Sequence, residues 1–204
     1  RKEIKEFLDD ISLNKLLFTV FTEGEYITDD ETKKAIYSQF KDILVNHLFE
    51  TDKLDDLSVL PLTFDYTPYA DKLTAILVNE AKHNSVVVER WINERDIIDI
   101  ISLQNTDVDT IPLRLILQEK SGNTAWLDGL TCDWSAIKDF IKDYPSYGYR
   151  YCKLFFIDKD EEFIKHHNLI DILNNDTIND WCGKLINEDN TPSVFLRILM
   201  EHVI

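Results

Sequence analysis

Apolar positions along the first hundred residues recur at three- and four-residue steps. Ile4, Phe7, Leu8 and Ile11 mark one amphipathic stretch, and Leu13, Leu16, Leu17 and Val20 continue it beyond a break at Ser12. Thr28 and Glu31 stand at capping-box spacing ahead of the stripe Ile36, Phe40, Ile43, Leu44 and Leu48, which predicts a second helix. The period is lost around 59–64, where extended chain is expected. Thr67 followed by Pro68 opens a further helix that buries Tyr69, Leu73, Ile76 and Leu77. Val88, Trp91, Ile92, Ile98 and Ile101 then predict one long helix over 85–103, or two broken near Asp96.

The pattern changes after Asn105. Residues 111–120 are rich in β-formers, Ser121-Gly122-Asn123 is a turn signal, and 124–127 return, which predicts a β-hairpin. Ile137, Phe140 and Ile141 predict a helix from about Ser135, stopped at Tyr144-Pro145. Residues 149–157 are aromatic and β-branched and predict a strand. Helices are expected over 160–173, 176–186 and 192–204, the last capped by Thr191. The sum is an α+β, predominantly helical fold. A helical half, 1–104, packs on an α+β half, 105–204, that contains a small, mostly antiparallel sheet, and the two share one core.

Composition sharpens this picture. Five Gly and five Pro disfavour a many-turned β architecture, and 44% hydrophobic against 29% charged residues exclude a disordered chain. The 38 acidic and 22 basic side chains leave a net charge of −16 with no Lys/Arg cluster, which argues against nucleic acid and against anionic membrane as partners. Asp29-Asp30-Glu31, Asp55-Asp56 and Asp160-Glu161-Glu162 stand where helices can begin, a placement the helix dipole favours. Cys132, Cys152 and Cys182 are odd in number and lack zinc-ligand spacing, so they read as buried thiols of a reducing, cytoplasmic compartment. No apolar run reaches membrane-spanning length. The start at Arg1 and the end inside an apolar stretch, 195–204, suggest a segment of a larger protein.

Candidate chemistry is thin. A metal-dependent nuclease of the restriction-enzyme type needs an Asp before a strand and an acid-x-Lys triplet on it. Asp107 or Asp109 and Gln118-Glu119-Lys120 approach that pattern, but Gln118 occupies the acid position. A HEPN-type ribonuclease needs Arg and His a few residues apart. Arg197 and His202 have the spacing, with apolar Ile198-Leu199-Met200 between them, as in a packing helix. His47 and His167 fall on apolar stripes and read as packing residues. Adjacent His166 and His167 point to different helix faces and form no metal pair. No nucleophile elbow, phosphate loop or dinucleotide fingerprint is present, so neither cofactor nor catalytic residue is assigned. Tyr144, Tyr147 and Tyr149 lie in and around a Pro/Gly turn and are the candidate partner-binding residues.

The second half resembles the region after the ATPase domain in GHKL proteins related to HtpG-type chaperones and sacsin. The resemblance rests on Ile111-Pro112-Leu113, the Ser121-Gly122 turn, Trp126-Leu127, and Leu154-Phe155-Phe156-Ile157-Asp158. It implies a non-catalytic coupling or protein-contact module, whose partner is another protein or a neighbouring domain. Asp128-Gly129-Leu130 lacks the second glycine of the family's ATP-binding box, so any ATPase activity lies outside this segment. The competing expectation is a stand-alone acidic inhibitor that mimics nucleic acid, with the nuclease domain behind it.

Overall fold

A computed structural model describes residues 31, 46, 49–50, 52–57, 65–188 and 192–203. The helix expected over 4–20, that over 28–48 apart from Glu31 and Asn46, the extended stretch at 59–64, His47 and the Thr191 cap lie outside those residues. The chain divides into two compact units, 1–102 and 103–204. Among the described residues there is no β-strand, and the expected antiparallel sheet is replaced by helices.

In the first unit, a single 3-10 turn, Thr67–Tyr69 with Pro68 at its start, leads into α1 (Ala70–Ala81), and α2 (Ser85–Arg95) packs against it. The buried stripe holds Leu73, Ile76 and Leu77 from α1 with Val88, Trp91 and Ile92 from α2, at the three- and four-residue steps of an amphipathic helix. Asp96 takes a left-handed conformation (φ 49°) and ends α2 at the break read from the sequence. Arg95 is buried there. Its Nε donates to the Tyr66 hydroxyl at 3.1 Å, and its guanidinium lies 3.7 Å from the Trp91 ring centroid, so the cation has both a hydrogen bond and an aromatic face.

The second unit is built around α3 (Ile111–Ser121), whose residues 111–117 are all buried. The hairpin expected here is helix for a physical reason. A helix enclosed on every side shows a continuous apolar run rather than a 3.6-residue period, and such a run reads equally as a buried strand. Pro112 sits in the first turn, where its missing N–H costs nothing. The Ser121-Gly122 signal is the helix stop: Gly122 (φ 69°) is left-handed and its N–H donates to the Gln118 carbonyl at 2.7 Å. The returning segment is the short helix α4 (Ala125–Asp128).

Beyond it lie α5 (Trp134–Asp143) and α6 (Pro145–Phe155), the second replacing the strand expected at 149–157. Proline again begins a helix rather than closing one. Tyr147, Tyr151 and Phe155 follow at four-residue steps, so the aromatics share a helix face. α5 and α6 cross closely at Gly148, where an added Cβ would stand 2.8 Å from Ile141 Cγ2 and 3.2 Å from the Ile141 Cα. α7 (Glu161–His166), α8 (Asn175–Ile186) and α9 (Ser193–Met200) complete the unit. The helix expected over 160–173 stops at His167 because Asn168 turns left-handed (φ 53°). Asp133, Asp160 and Asn174 each accept a hydrogen bond from a backbone N–H three residues on, so two of the acids and one asparagine are helix caps. The core gathers Phe156, Trp181, Phe195 and Leu199, each at most 1% exposed. Burying a side chain of that size contributes about 1.5–3 kcal/mol before ordering costs.

Candidate binding cleft

Two adjacent rings at the end of α6 are separated by the helical turn. Phe156 enters the core and packs on Phe195 at 5.1 Å, whereas Phe155 stays half-buried on the neighbouring face. Phe155 stacks on Tyr151 one turn earlier (5.5 Å, 15° between planes) and on Trp134 from the start of α5 (5.3 Å, 17°). The result is one continuous stack, Tyr151–Phe155–Trp134. Phe163 of α7 and His167 just after it add a second pair at four-residue spacing, with centroids 4.5 Å apart, and His167 meets Trp134 edge-on at 4.7 Å.

Backbone hydrogen bonds lock these rings. Trp134 Nε1 donates to the His167 carbonyl at 2.6 Å. His167 Nδ1 lies 2.7 Å from the Phe163 carbonyl; because a carbonyl only accepts, Nδ1 carries the proton and Nε2 is the remaining nitrogen. The rings line a cleft of about 600 Å³ together with Leu127, Leu130 and Cys132. Thr124, Asp128 and Lys159 also line it, as does Ile157, which is 42% exposed.

The Leu127–Leu130 wall is positioned by Arg114, 3% exposed, on α3. Its Nε donates to Thr110 Oγ1 at 2.9 Å, and its terminal nitrogens donate to the Trp126 carbonyl at 2.7 Å and the Asn105 carbonyl at 2.8 Å. One side chain thus ties the segments on both sides of α3 to the helix. Burial lowers the Arg114 pKa, as expected for a cation held by neutral acceptors. Gly129 allows the approach, since a Cβ there would lie 3.0 Å from the Arg114 guanidinium.

Two of the lining groups are held in their neutral forms. Burial pushes the Cys132 thiol above its ordinary pKa, and the Asp107 and Asp133 carboxylates add to this against the opposing Arg114, so it stays a thiol. Burial also raises the Tyr151 phenol, with Cys152 and Cys132 contributing, so it remains a neutral O–H. Among the described residues no three His, Cys, Asp or Glu side chains are placed to hold a metal ion.

The residues singled out in the sequence lie elsewhere. Tyr144 is half-buried and stacks on Phe140 at 5.2 Å. Tyr147 and Tyr149 are 7% and 6% exposed, on opposing faces of α6, and the Tyr149 hydroxyl donates to Glu188 Oε1 at 2.6 Å. None of the three lines the cleft. The nuclease-like triplet sits in the last turn of α3, not on a strand, and Glu119 pairs with Arg150 at 2.8 Å. Arg197 pairs with Glu161 at 3.1 Å while His202 Nδ1 bonds the Ile198 carbonyl at 3.0 Å, so each has its own partner. The cleft residues carry a signal the sequence does contain: Tyr151/Phe155 and Phe163/His167 are i, i+4 ring pairs, visible once both segments are read as helices.

No family model, curated protein or solved structure matches the chain. Among the described residues no helix is long and apolar enough to cross a membrane.

Proposed function

We propose that this chain is a non-catalytic protein-binding module and that its partner docks in the cleft of the 103–204 unit. The supporting observation is the cleft itself: about 600 Å³, lined by stacked rings of which Phe155 and Trp134 are half-buried, with the exposed Ile157 among its lining residues. Concave sites of this size, mostly apolar with a few polar groups, are where ligands are held, and rings in such pockets anchor partners. The absence of an activated group among its lining residues favours binding over chemistry. The partner is a separate protein or a neighbouring domain of the same chain, as in the chaperone-like ATPases whose sequence the 105–204 region resembles.

Affinity capture with the whole chain and its Ile157→Asp variant, run side by side and quantified by mass spectrometry, tests this reading. Ile157 is exposed, so the fold should tolerate the change. Proteins recovered by the parent chain and lost with the variant support cleft docking. Identical recovery from both would remove it.

A further inference from the structure

One of the cleft rings carries a cation of the chain's own. Lys159 Nζ stands 5.2 Å from the centroid of the Phe163 ring, and both residues line the cleft. The backbone fixes the root of this side chain beside the first turn of α7. Asp158 before it is left-handed (φ 59°), the Lys159 N–H donates to the Phe156 carbonyl at 3.2 Å, and Asp160 after it caps the helix by accepting from the Phe163 N–H at 2.8 Å.

The ammonium itself is lightly held. Lys159 is exposed, and a cation on a ring at an exposed site makes a weak contact. The residue also lines a second, separate depression of about 580 Å³, whose other lining residues include Asp158 and Asp160. A compact charge on a flexible four-carbon stem moves between two such settings at little cost, because exposed ion pairs and exposed ring contacts are similarly weak. Lys159 therefore has two resting places, the Phe163 ring in the cleft and the carboxylates of the neighbouring depression.

We propose that Lys159 is an autoinhibitory latch on the cleft. In the structure its ammonium lies against Phe163, and an apolar side chain of a docking partner gains that ring by turning the ammonium out toward Asp158 and Asp160. The proposal rests on the protein-binding reading above and adds how that site is regulated. Breaking the ring contact is a fixed cost on every occupant that packs on Phe163, so removing the cation tightens binding without adding any contact.

The probe is N-phenyl-1-naphthylamine, an uncharged fluorescent arylamine, titrated into the full chain. Its affinity should fall in Ile157→Asp, which places it in the cleft. It should rise about threefold in Lys159→Ala and in Lys159→Gln, the equivalent of one exposed cation–π contact. Lys142→Ala, at an exposed lysine outside the cleft, should leave it unchanged. A second readout follows the latch directly. Reductive ¹³C-methylation keeps the lysine charge, and the Lys159 methyl resonance is assigned by its loss in Lys159→Gln. It should lie upfield under the Phe163 ring current and move back toward that of an unstacked lysine in Phe163→Leu, or when the probe is added. Unchanged affinity in the Lys159 variants, a Lys159 resonance indifferent to Phe163→Leu or to the probe, probe binding indifferent to Ile157→Asp, or no probe binding at all would each overturn the proposal. If Ile157-dependent capture persists while these tests fail, only the latch falls; if capture is indifferent to Ile157, the docking reading falls and the latch with it.

Discussion

Replacing Arg114 with methionine tests whether one guanidinium holds the cleft together. Methionine keeps the apolar stem and removes three donors, those to Thr110 Oγ1, the Trp126 carbonyl and the Asn105 carbonyl. Hydrogen bonds from a charged donor contribute about 1.5–3 kcal/mol each where the acceptor stays buried. Only Thr110 is fully enclosed, and its hydroxyl still donates to the Asp107 carbonyl at 2.7 Å. Asn105 is exposed and Trp126 half-buried, so water recovers much of what their carbonyls lose. Methionine also spares the desolvation of a buried cation, the effect that lowers the Arg114 pKa. The balance is a loss of about 2 kcal/mol, or roughly 1 M in urea midpoint at a slope near 2 kcal/mol/M. Urea unfolding followed by tryptophan fluorescence measures it, and amide hydrogen exchange localises it, with 105–106 and 126–130 exchanging faster. Arg114→Lys should lose nearly as much, because one ammonium cannot span three diverging acceptors. A methionine variant within about 0.5 kcal/mol of the parent, or one destabilised without faster exchange in those two segments, would refute the reasoning.

Three further outcomes follow from the packing, the Glu188 pair and the caps. Gly148→Ala adds a carbon 2.8 Å from a methyl of fully buried Ile141 and 3.2 Å from its Cα; overpacking of about 1–3 kcal/mol outweighs the roughly 1 kcal/mol gained in helix propensity, so urea unfolding should show a net loss. Burial raises the pKa of Glu188, but its bonds to the Tyr149 hydroxyl and to Lys153 outweigh this and hold it below the ordinary carboxylate value. The folded state therefore binds this proton less readily than the unfolded state; the stabilisation is present above about pH 4.3 and is lost as pH falls through the lower folded value. Thermal scans from pH 3 to 7 should show the difference between the parent and Glu188→Gln, a few degrees at neutrality, closing toward acid. Asp160→Ala removes the acceptor for the Phe163 N–H and should cost about 1 kcal/mol by urea unfolding, with faster exchange in α7 and the Phe163–His167 wall.

The helix boundaries were the most legible part of this chain, because they are written in local chemistry. Asp96 ends α2, the second of the two alternatives read for 85–103, and the Ile137–Phe140–Ile141 stripe gave α5 within a residue of its start. The strands were misread where burial is complete. Residues 111–117 have no polar face, so their pattern carries no period with which to tell a helix from a strand. At 149–157 the aromatic and β-branched content was taken as intrinsic preference. Those residue types mark a packed surface, and a helix with rings every fourth residue supplies one as well as a strand does. Both errors share a cue that was present, since Pro112 and Pro145 each stand where a helix starts.

The candidate site was hidden by that same misreading. In a strand, residues 151 and 155 share a face by alternation but lie too far apart to stack; in a helix they are one turn apart and stack at 5.5 Å. The helix also turns Tyr147 and Tyr149 into the protein, so the rings that looked most available in a loop are among the most enclosed. No local rule, however, could have brought Trp134 of α5 and His167 beyond α7 against Phe155, since that contact exists only once three helices have packed.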